Sequence, residues 1–222
     1  MSKPKAYVLS TRELPASLVE KAAAAGMVID VLPFIETGKL EREALPEGPL
    51  TAVFTSANAV ETVEGDGWTI FCTSGATWRK VAGRFGATAI AGTADSAADL
   101  AATIIAAGWV KAVWFFCGDL RREELPARLK QAGIEVHEVV VYRTKLTPRK
   151  IGRPYDAIAF FSPSAVESFF SVNSISAHTQ LFAIGGTTAE AIRRHCDNPV
   201  TISERPDAEL LINQIIHDNT EE

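Results

Sequence analysis

The chain has 222 residues, 47% hydrophobic, 22% charged and 8% aromatic, the make-up of a globular protein with apolar material for one large core or two modest ones. That composition excludes collagen-like, disordered and disulfide-scaffold classes, and no run approaches the roughly 18 consecutive apolar residues of a membrane span. A net charge of −5 argues against general nucleic-acid binding, whose affinity comes from Lys and Arg neutralising phosphates.

From the N-terminus, Met1-Ser2-Lys3-Pro4-Lys5 leads into a short strand-like run rather than the apolar stretch of a signal peptide, so a cytoplasmic protein is expected. Apolar runs rich in β-branched and aromatic residues then recur, each followed by a turn-type cluster and an amphipathic stretch. Strands are predicted at 5–9, 27–35, 51–55, 68–73, 87–91, 111–117, 134–142, 156–161, 180–184 and 199–202. Helix starts are readable between them, such as Ser96 ahead of Ala97–Ala107 and Pro206-Asp207 ahead of Leu210, Leu211 and Ile215. This βα alternation predicts parallel sheets.

Ten strands are too many for one ordinary sheet, and internal similarity resolves the count. Ala52–Val60 resembles Ala159–Val166, and Ile70–Thr77 resembles Phe182–Thr188. Asp95–Leu100 resembles Pro206–Leu211, and Tyr7–Gly26 is echoed by Trp114–Gly133. The repeated segments are permuted around the chain. The expected fold is therefore α/β, with two similar parallel-sheet domains of five strands, joined by a double linker, one domain discontinuous. Residues 1–35 and 154–222 are assigned to the discontinuous domain, 36–147 to the continuous one and 148–153 to the second linker. The polar, Pro- and Gly-bearing stretches Glu36–Pro49 and Arg143–Tyr155 mark the two crossings.

Functional residues are expected where strands run into helices, at the carboxyl ends of the strands. Those junctions are rich in hydroxyls: Ser10-Thr11-Arg12, Thr55-Ser56-Ala57-Asn58, Thr73-Ser74 with Thr77, Ser162-Pro163-Ser164 and Thr187-Thr188. Each can serve as a helix cap. Gly75, Gly118, Gly185 and Gly186 lie beside them, leaving backbone N–H groups open to carboxylates or phosphates. Walker A, GxGxxG and Gly-x-Ser-x-Gly patterns are missing. Cys72, Cys117 and Cys196 are odd in number and widely spaced, and His137, His178, His195 and His217 form no HxxxH pair, so no disulfide framework or metal site is expected. Five basic residues without an acid, Arg143, Lys145, Arg149, Lys150 and Arg153, stand in the second crossing, either as solvated surface or to steer an anion. The picture is a site that holds a multiply anionic molecule through many modest donors.

An ordered set of motifs over nearly the whole chain resembles the uroporphyrinogen-III synthase family. The motifs are Thr11-Arg12, Phe54–Val60, Gly118 with Arg122 and Leu125, Gly133 before the strand ending Val141-Tyr142-Arg143-Thr144, Phe161–Val166, and Ala183–Ala189. The resemblance implies closure of the linear tetrapyrrole hydroxymethylbilane to uroporphyrinogen III with inversion of the last ring. It also implies a small-molecule substrate carrying eight carboxylates, no cofactor or metal, no nucleic-acid or membrane partner, and a monomer. It makes Tyr142 the catalytic residue, donating a proton to the departing hydroxyl, with an amphipathic ring packed at a strand end as the alternative. Arg12, Ser56, Asn58, Thr77, Gly118, Arg122, Ser162, Ser164, Gly185, Thr187 and Thr188 become the substrate-binding set. Ser74 stands where the family usually has Gly, and Cys117 where it often has Arg. The alternative function is a non-catalytic binding protein for a tetrapyrrole or small anionic ligand on the same scaffold; a two-domain solute-binding protein fits the expected hinge but lacks the leader.

Overall fold

A computed structural model of the chain describes residues 4–41 and 48–220. It divides into two compact units, one made of 1–36 and 145–222 and the other of 37–144. Part of the expected first linker, 42–47, lies outside the described residues.

The discontinuous domain carries β1 (Tyr7–Ser10), α1 (Ala16–Ala24), β2 (Val28–Val31), β9 (Ala157–Phe160), α6 (Pro163–Phe170), β10 (Gln180–Ala183), α7 (Gly186–Arg193), β11 (Val200–Ile202) and α8 (Ala208–Asp218). Its sheet has the order β11-β10-β9-β1-β2, and every adjacent pair is parallel. Alternation along the strands makes two cores. Leu9, Ile158, Phe160 and Leu181 face one side with Phe169 and Ile192 of α6 and α7. Val8, Ala157, Ala159 and Phe182 face the other with Leu18 of α1 and Leu211 and Ile215 of α8.

The continuous domain carries β4 (Thr51–Phe54), α2 (Ala57–Thr62), β5 (Thr69–Thr73), α3 (Ala76–Phe85), β6 (Ile90–Ala94), α4 (Ala97–Ala106), β7 (Ala112–Gly118), α5 (Glu124–Gln131) and β8 (Glu135–Leu146). With β3 (Ile35–Lys39) it forms a six-stranded sheet in the order β3-β8-β7-β4-β5-β6. Leaving out β3, this is the order of the other sheet under the sequence repeats, with β4, β5, β6, β7 and β8 standing for β9, β10, β11, β1 and β2. Val53, Phe71, Val113 and Phe115 face α4 and α5, while Ala52, Phe54, Ile70 and Phe116 face α2 and α3. On the second face Trp68 and Phe116 stack at 5.1 Å, and Phe54 joins Phe116 at 5.3 Å.

Four expectations are corrected. The predicted strand 27–35 is two strands, because Leu32-Pro33-Phe34 breaks between them and the chain resumes pairing at Ile35. β3 therefore occupies the first part of the expected linker, and the second sheet has six strands rather than five. The Leu40 N–H donates to the Val141 carbonyl at 3.2 Å and the Thr147 N–H to that of Phe34 at 2.9 Å, so β3 runs antiparallel to β8. That extra pairing carries β8 past Tyr142 into the stretch expected to be linker. Finally, β6 begins at Ile90 rather than 87, because Ala87–Ala89 form a 3₁₀ turn. The expected helix starts at Ser96 and Asp207 are present: each side chain accepts backbone N–H groups, Ser96 from Asp99 and Asp207 from Glu209 and Leu210.

Candidate functional site

In the continuous domain the carboxyl ends of neighbouring strands bring four of the expected residues close in register. Ser56 follows β4 and caps α2, its Oγ accepting the Asn58 N–H at 3.2 Å. Gly118 ends β7 and pairs with Tyr142 of β8. The Tyr142 hydroxyl donates to Ser56 Oγ at 3.1 Å. The serine oxygen thus accepts twice and keeps its own hydrogen for donation.

Tyr142 owes this position to a break in strand register. Phe116 pairs with Val139 and Cys117 with Val140, but Gly118 pairs with Tyr142, leaving Val141 as an extra residue on β8. Strict alternation would put Tyr142 on the face of Val140, toward α4 and α5. The bulge instead puts Val141 and Tyr142 together against the α2 and α3 core. The ring then lies over Gly118, where a Cβ would meet Tyr142 Cζ at 2.5 Å and its hydroxyl oxygen at 2.8 Å. Only a residue without a side chain leaves room for this contact. Burial moves the Tyr142 phenol above its ordinary range; the Ser56 bond pulls it back, and Cys117 and Asp119 add to the rise. At neutral pH it is therefore a protonated donor. Tyr142 lies inside β8 rather than at its end, a correction that follows from the pairing of β8 with β3.

The other expected residues of this domain are less concentrated. Thr77, in the first turn of α3, is buried and accepts a bond from Thr73 Oγ1 at 3.0 Å. Asn58 is half-buried in α2, and Arg122 is exposed in the segment leading to α5. Ser74 donates to Asp95, and Cys117 is buried among the residues facing α4 and α5.

In the discontinuous domain, Arg12 follows β1 and is exposed, with its guanidinium 5.2 Å from the centre of the Phe161 ring; partial desolvation lowers its pKa. Ser162 follows β9 and caps α6, accepting the Ala165 N–H at 3.1 Å, with Ser164 half-buried one residue beyond Pro163. Gly185 follows β10 in extended conformation and precedes α7, and a Cβ at Gly185 or Gly186 would meet nothing within 4 Å. Space is open above this helix start, where the Thr188 N–H turns back to the Gly185 carbonyl at 3.1 Å and Gly186 and Thr187 precede it in the first turn. Thr187 is exposed there, whereas Thr188 is turned into the core at 1% exposure. Of the five basic residues in the second crossing, Arg143 lies 3.7 Å from Asp119, and Arg153 pairs with Asp30 at 3.4 Å and covers the Tyr7 ring.

Asp119 was not among the residues expected from sequence. Its carboxylate accepts the Thr144 N–H at 2.9 Å, and its own N–H donates to the Tyr142 carbonyl at 3.1 Å. An acid after a strand-ending glycine was the only local signal. Among the described residues no group of three or more His, Cys, Asp or Glu is placed to hold a metal ion, and no helix is long and apolar enough to cross a membrane.

A family model described as uroporphyrinogen-III synthase HemD matches residues 16–213. No curated protein matches by sequence. Among solved structures, the chain is similar to the uroporphyrinogen-III synthetase of Helicobacter pylori, at 17% identity and TM-score 0.66, covering 95% of this chain and 98% of that one. It is also similar to a mutant uroporphyrinogen III synthase of the extremely thermophilic bacterium Thermus thermophilus, at 15% identity and TM-score 0.58, covering 97% and 98%. Both likenesses concern the α/β fold.

Proposed function

The chain belongs to the uroporphyrinogen-III synthase family, and from that premise we infer that it closes hydroxymethylbilane to uroporphyrinogen III, a cyclising dehydration that inverts the last ring. The reaction breaks the bond between the terminal methylene carbon and its hydroxyl. The hydroxyl leaves as water, and the resulting azafulvene-type cation is attacked by the α-carbon of the last pyrrole that already carries a methylene bridge; inversion then requires that older carbon–carbon bond to break and to re-form at the ring's free α-carbon, which loses its proton as the ring regains aromaticity. No electron changes hands overall, so the reading requires no redox cofactor.

Tyr142 supplies the proton in this reading. Its raised pKa keeps the phenol protonated at neutral pH and makes the phenolate left after donation basic enough to recover a proton released by the pyrrole. Ser56 holds the phenol while the site is empty and can donate its own hydrogen to a substrate oxygen. The single observation that carries the assignment is the Tyr142–Ser56 pair at the carboxyl edge of the sheet, with the ring seated on Gly118.

Binding falls to the remaining junctions. The starts of α3 and α7 present backbone N–H groups at the positive end of a helix dipole, suited to the substrate's carboxylates, whereas at α6 Pro163 has no N–H and that of Ala165 is held by Ser162, leaving the Ser164 N–H. Arg12, Arg122, Asn58, Ser162, Ser164, Gly185 and Thr187 stand at or near strand ends where they can add single contacts. Thr77 and Thr188 contribute through their helix starts, since their side chains are buried. A monomeric cytoplasmic enzyme completes the proposal, and gel filtration with subcellular fractionation tests that part.

The decisive assay adds the protein to freshly prepared hydroxymethylbilane and separates the products. Formation of isomer III in excess over the spontaneous isomer I is expected. Isomer I alone, at the spontaneous rate, overturns the proposal.

A further inference from the structure

The chemistry proposed for Tyr142 depends on where a bulged strand aims one ring, and a bulge leaves the ladder locally unpaired. β7 ends at Gly118 while β8 runs on to Leu146, so beyond the Gly118–Tyr142 pair β7 offers no further strand carbonyl to β8. The next N–H of β8 bonded from this side is that of Thr144, and its acceptor is the Asp119 carboxylate at 2.9 Å. The same residue's backbone N–H donates to the Tyr142 carbonyl at 3.1 Å. Asp119 thus holds β8 at Tyr142 and again two residues further on, once through its main chain and once through its side chain. Its other carboxylate oxygen lies 3.7 Å from Arg143 Nε, the side chain between the two.

We infer that Asp119 is a positioning residue for the phenol: its carboxylate takes the place of the strand that β7 no longer provides and fixes the bulged segment so that Tyr142 rests on Gly118 with its hydroxyl at Ser56. The inference rests on the role proposed above for Tyr142 and adds what sets the aim of that group. A charged acceptor on a part-buried N–H makes a stronger bond than a neutral one. Without it the segment from Tyr142 to Thr144 keeps only the main-chain contact from Asp119 on that side. The ring then loses its fixed relation to Ser56.

The test compares Asp119→Ala, Asp119→Asn, Tyr142→Phe and the double variant Asp119→Ala/Tyr142→Phe. Three quantities are read: the rate of isomer III formation, the denaturation midpoint, and the ring-carbon NMR signal of ¹³C-labelled Tyr142, assigned by its disappearance in Tyr142→Phe. Asp119→Ala is expected to lower the rate about tenfold, the scale of one lost hydrogen bond to a charged group, and to move the Tyr142 signal. Asp119→Asn retains an acceptor oxygen and recovers most of both. In the Tyr142→Phe background the alanine change adds no further loss, since there is no phenol left to aim.

Equal losses in both backgrounds, an asparagine variant no better than alanine, or an unmoved Tyr142 signal each overturn the inference. If Asp119→Ala does not fold, Asp119→Glu keeps the charge but displaces the acceptor by one methylene, and the same signal shift is required of it. Should Tyr142→Phe retain the parent rate, the catalytic role fails, while the NMR signal still decides independently whether Asp119 holds the ring.

Discussion

The two domains are the same sheet built twice, and they differ most at one strand. β1 and β2 pair without interruption from Tyr7–Val28 to Ser10–Val31, whereas their counterparts β7 and β8 slip by one residue at Cys117/Gly118. β2 has four residues and β8 has twelve. The cores, by contrast, are interchangeable in plan, each with two helices on either face of alternating apolar strands. The duplicated parts are those that burial dictates, and the proposed catalytic group sits where the copies have diverged. Ser56 and Ser162 make the point at single-residue scale. Both cap a helix after the same strand, and Ser56 alone also receives a tyrosine.

The largest expected effect tests the equivalence of the cores. Phe116→Ala and Phe169→Ala remove fully buried rings from corresponding aromatic clusters, and each is expected to cost about 3–5 kcal/mol in chemical denaturation. A much smaller cost for one of them breaks the parallel between the domains. The asymmetry at β8 comes next. Tyr142→Phe is expected to lower isomer III formation by about tenfold to a hundredfold, at or below the lower end of general acid contributions because the substrate ionises readily, with the denaturation midpoint nearly unchanged.

The two serines sharpen the comparison further. Ser56→Ala and Ser162→Ala are each expected to lose about 1 kcal/mol of stability as helix caps, and activity about tenfold or less as single hydrogen bonds. Only Ser56→Ala is expected to alter the Tyr142 ring signal. The smallest effect concerns the discontinuous domain alone. Tyr155 is pushed up to about 12 by burial, its bond to Asp30 and the charge of that carboxylate. A raised folded pKa means that its contribution is whole below the unfolded value near 10 and is lost as pH rises through about 12. The melting-temperature gap between parent and Tyr155→Phe should therefore shrink over that window.

Much of this architecture was legible because buried strands advertise themselves. Ala52–Phe54, Val113–Phe116 and Ala157–Phe160 are apolar on both faces, and a parallel sheet covered by helices requires that. β3 carried no such signal: four of its five residues are exposed, so Glu36–Lys39 read as linker. Gly92 concealed the true extent of β6, since a glycine weakens a strand pattern, yet a Cβ there would meet the Phe71 ring at 2.9 Å. At the candidate site the hydroxyls at strand ends were readable as caps and donors. The burial of Thr77 and Thr188 was not, because a first-turn residue faces in or out according to how its helix docks. The bulge was beyond reach for a different reason: register belongs to a pair of strands, and neither Cys117-Gly118 nor Val141-Tyr142 encodes it alone.

The chain order of the discontinuous domain bears on its synthesis. β1 lies between β2 and β9 in the sheet, and the Thr11 side chain bonds the Ala159 carbonyl across 148 residues. On the ribosome, β1, α1 and β2 emerge before the continuous domain and must wait until it has been made before β9 exists, while the continuous domain has all its helices and strands within a single uninterrupted stretch. Contacts so distant in sequence are slow to form, and an apolar strand–helix–strand fragment waiting for them is the species most exposed to a chaperone or to aggregation. Vectorial translation therefore favours completion of the continuous domain first, with the N-terminal segment held open until the last third of the chain arrives.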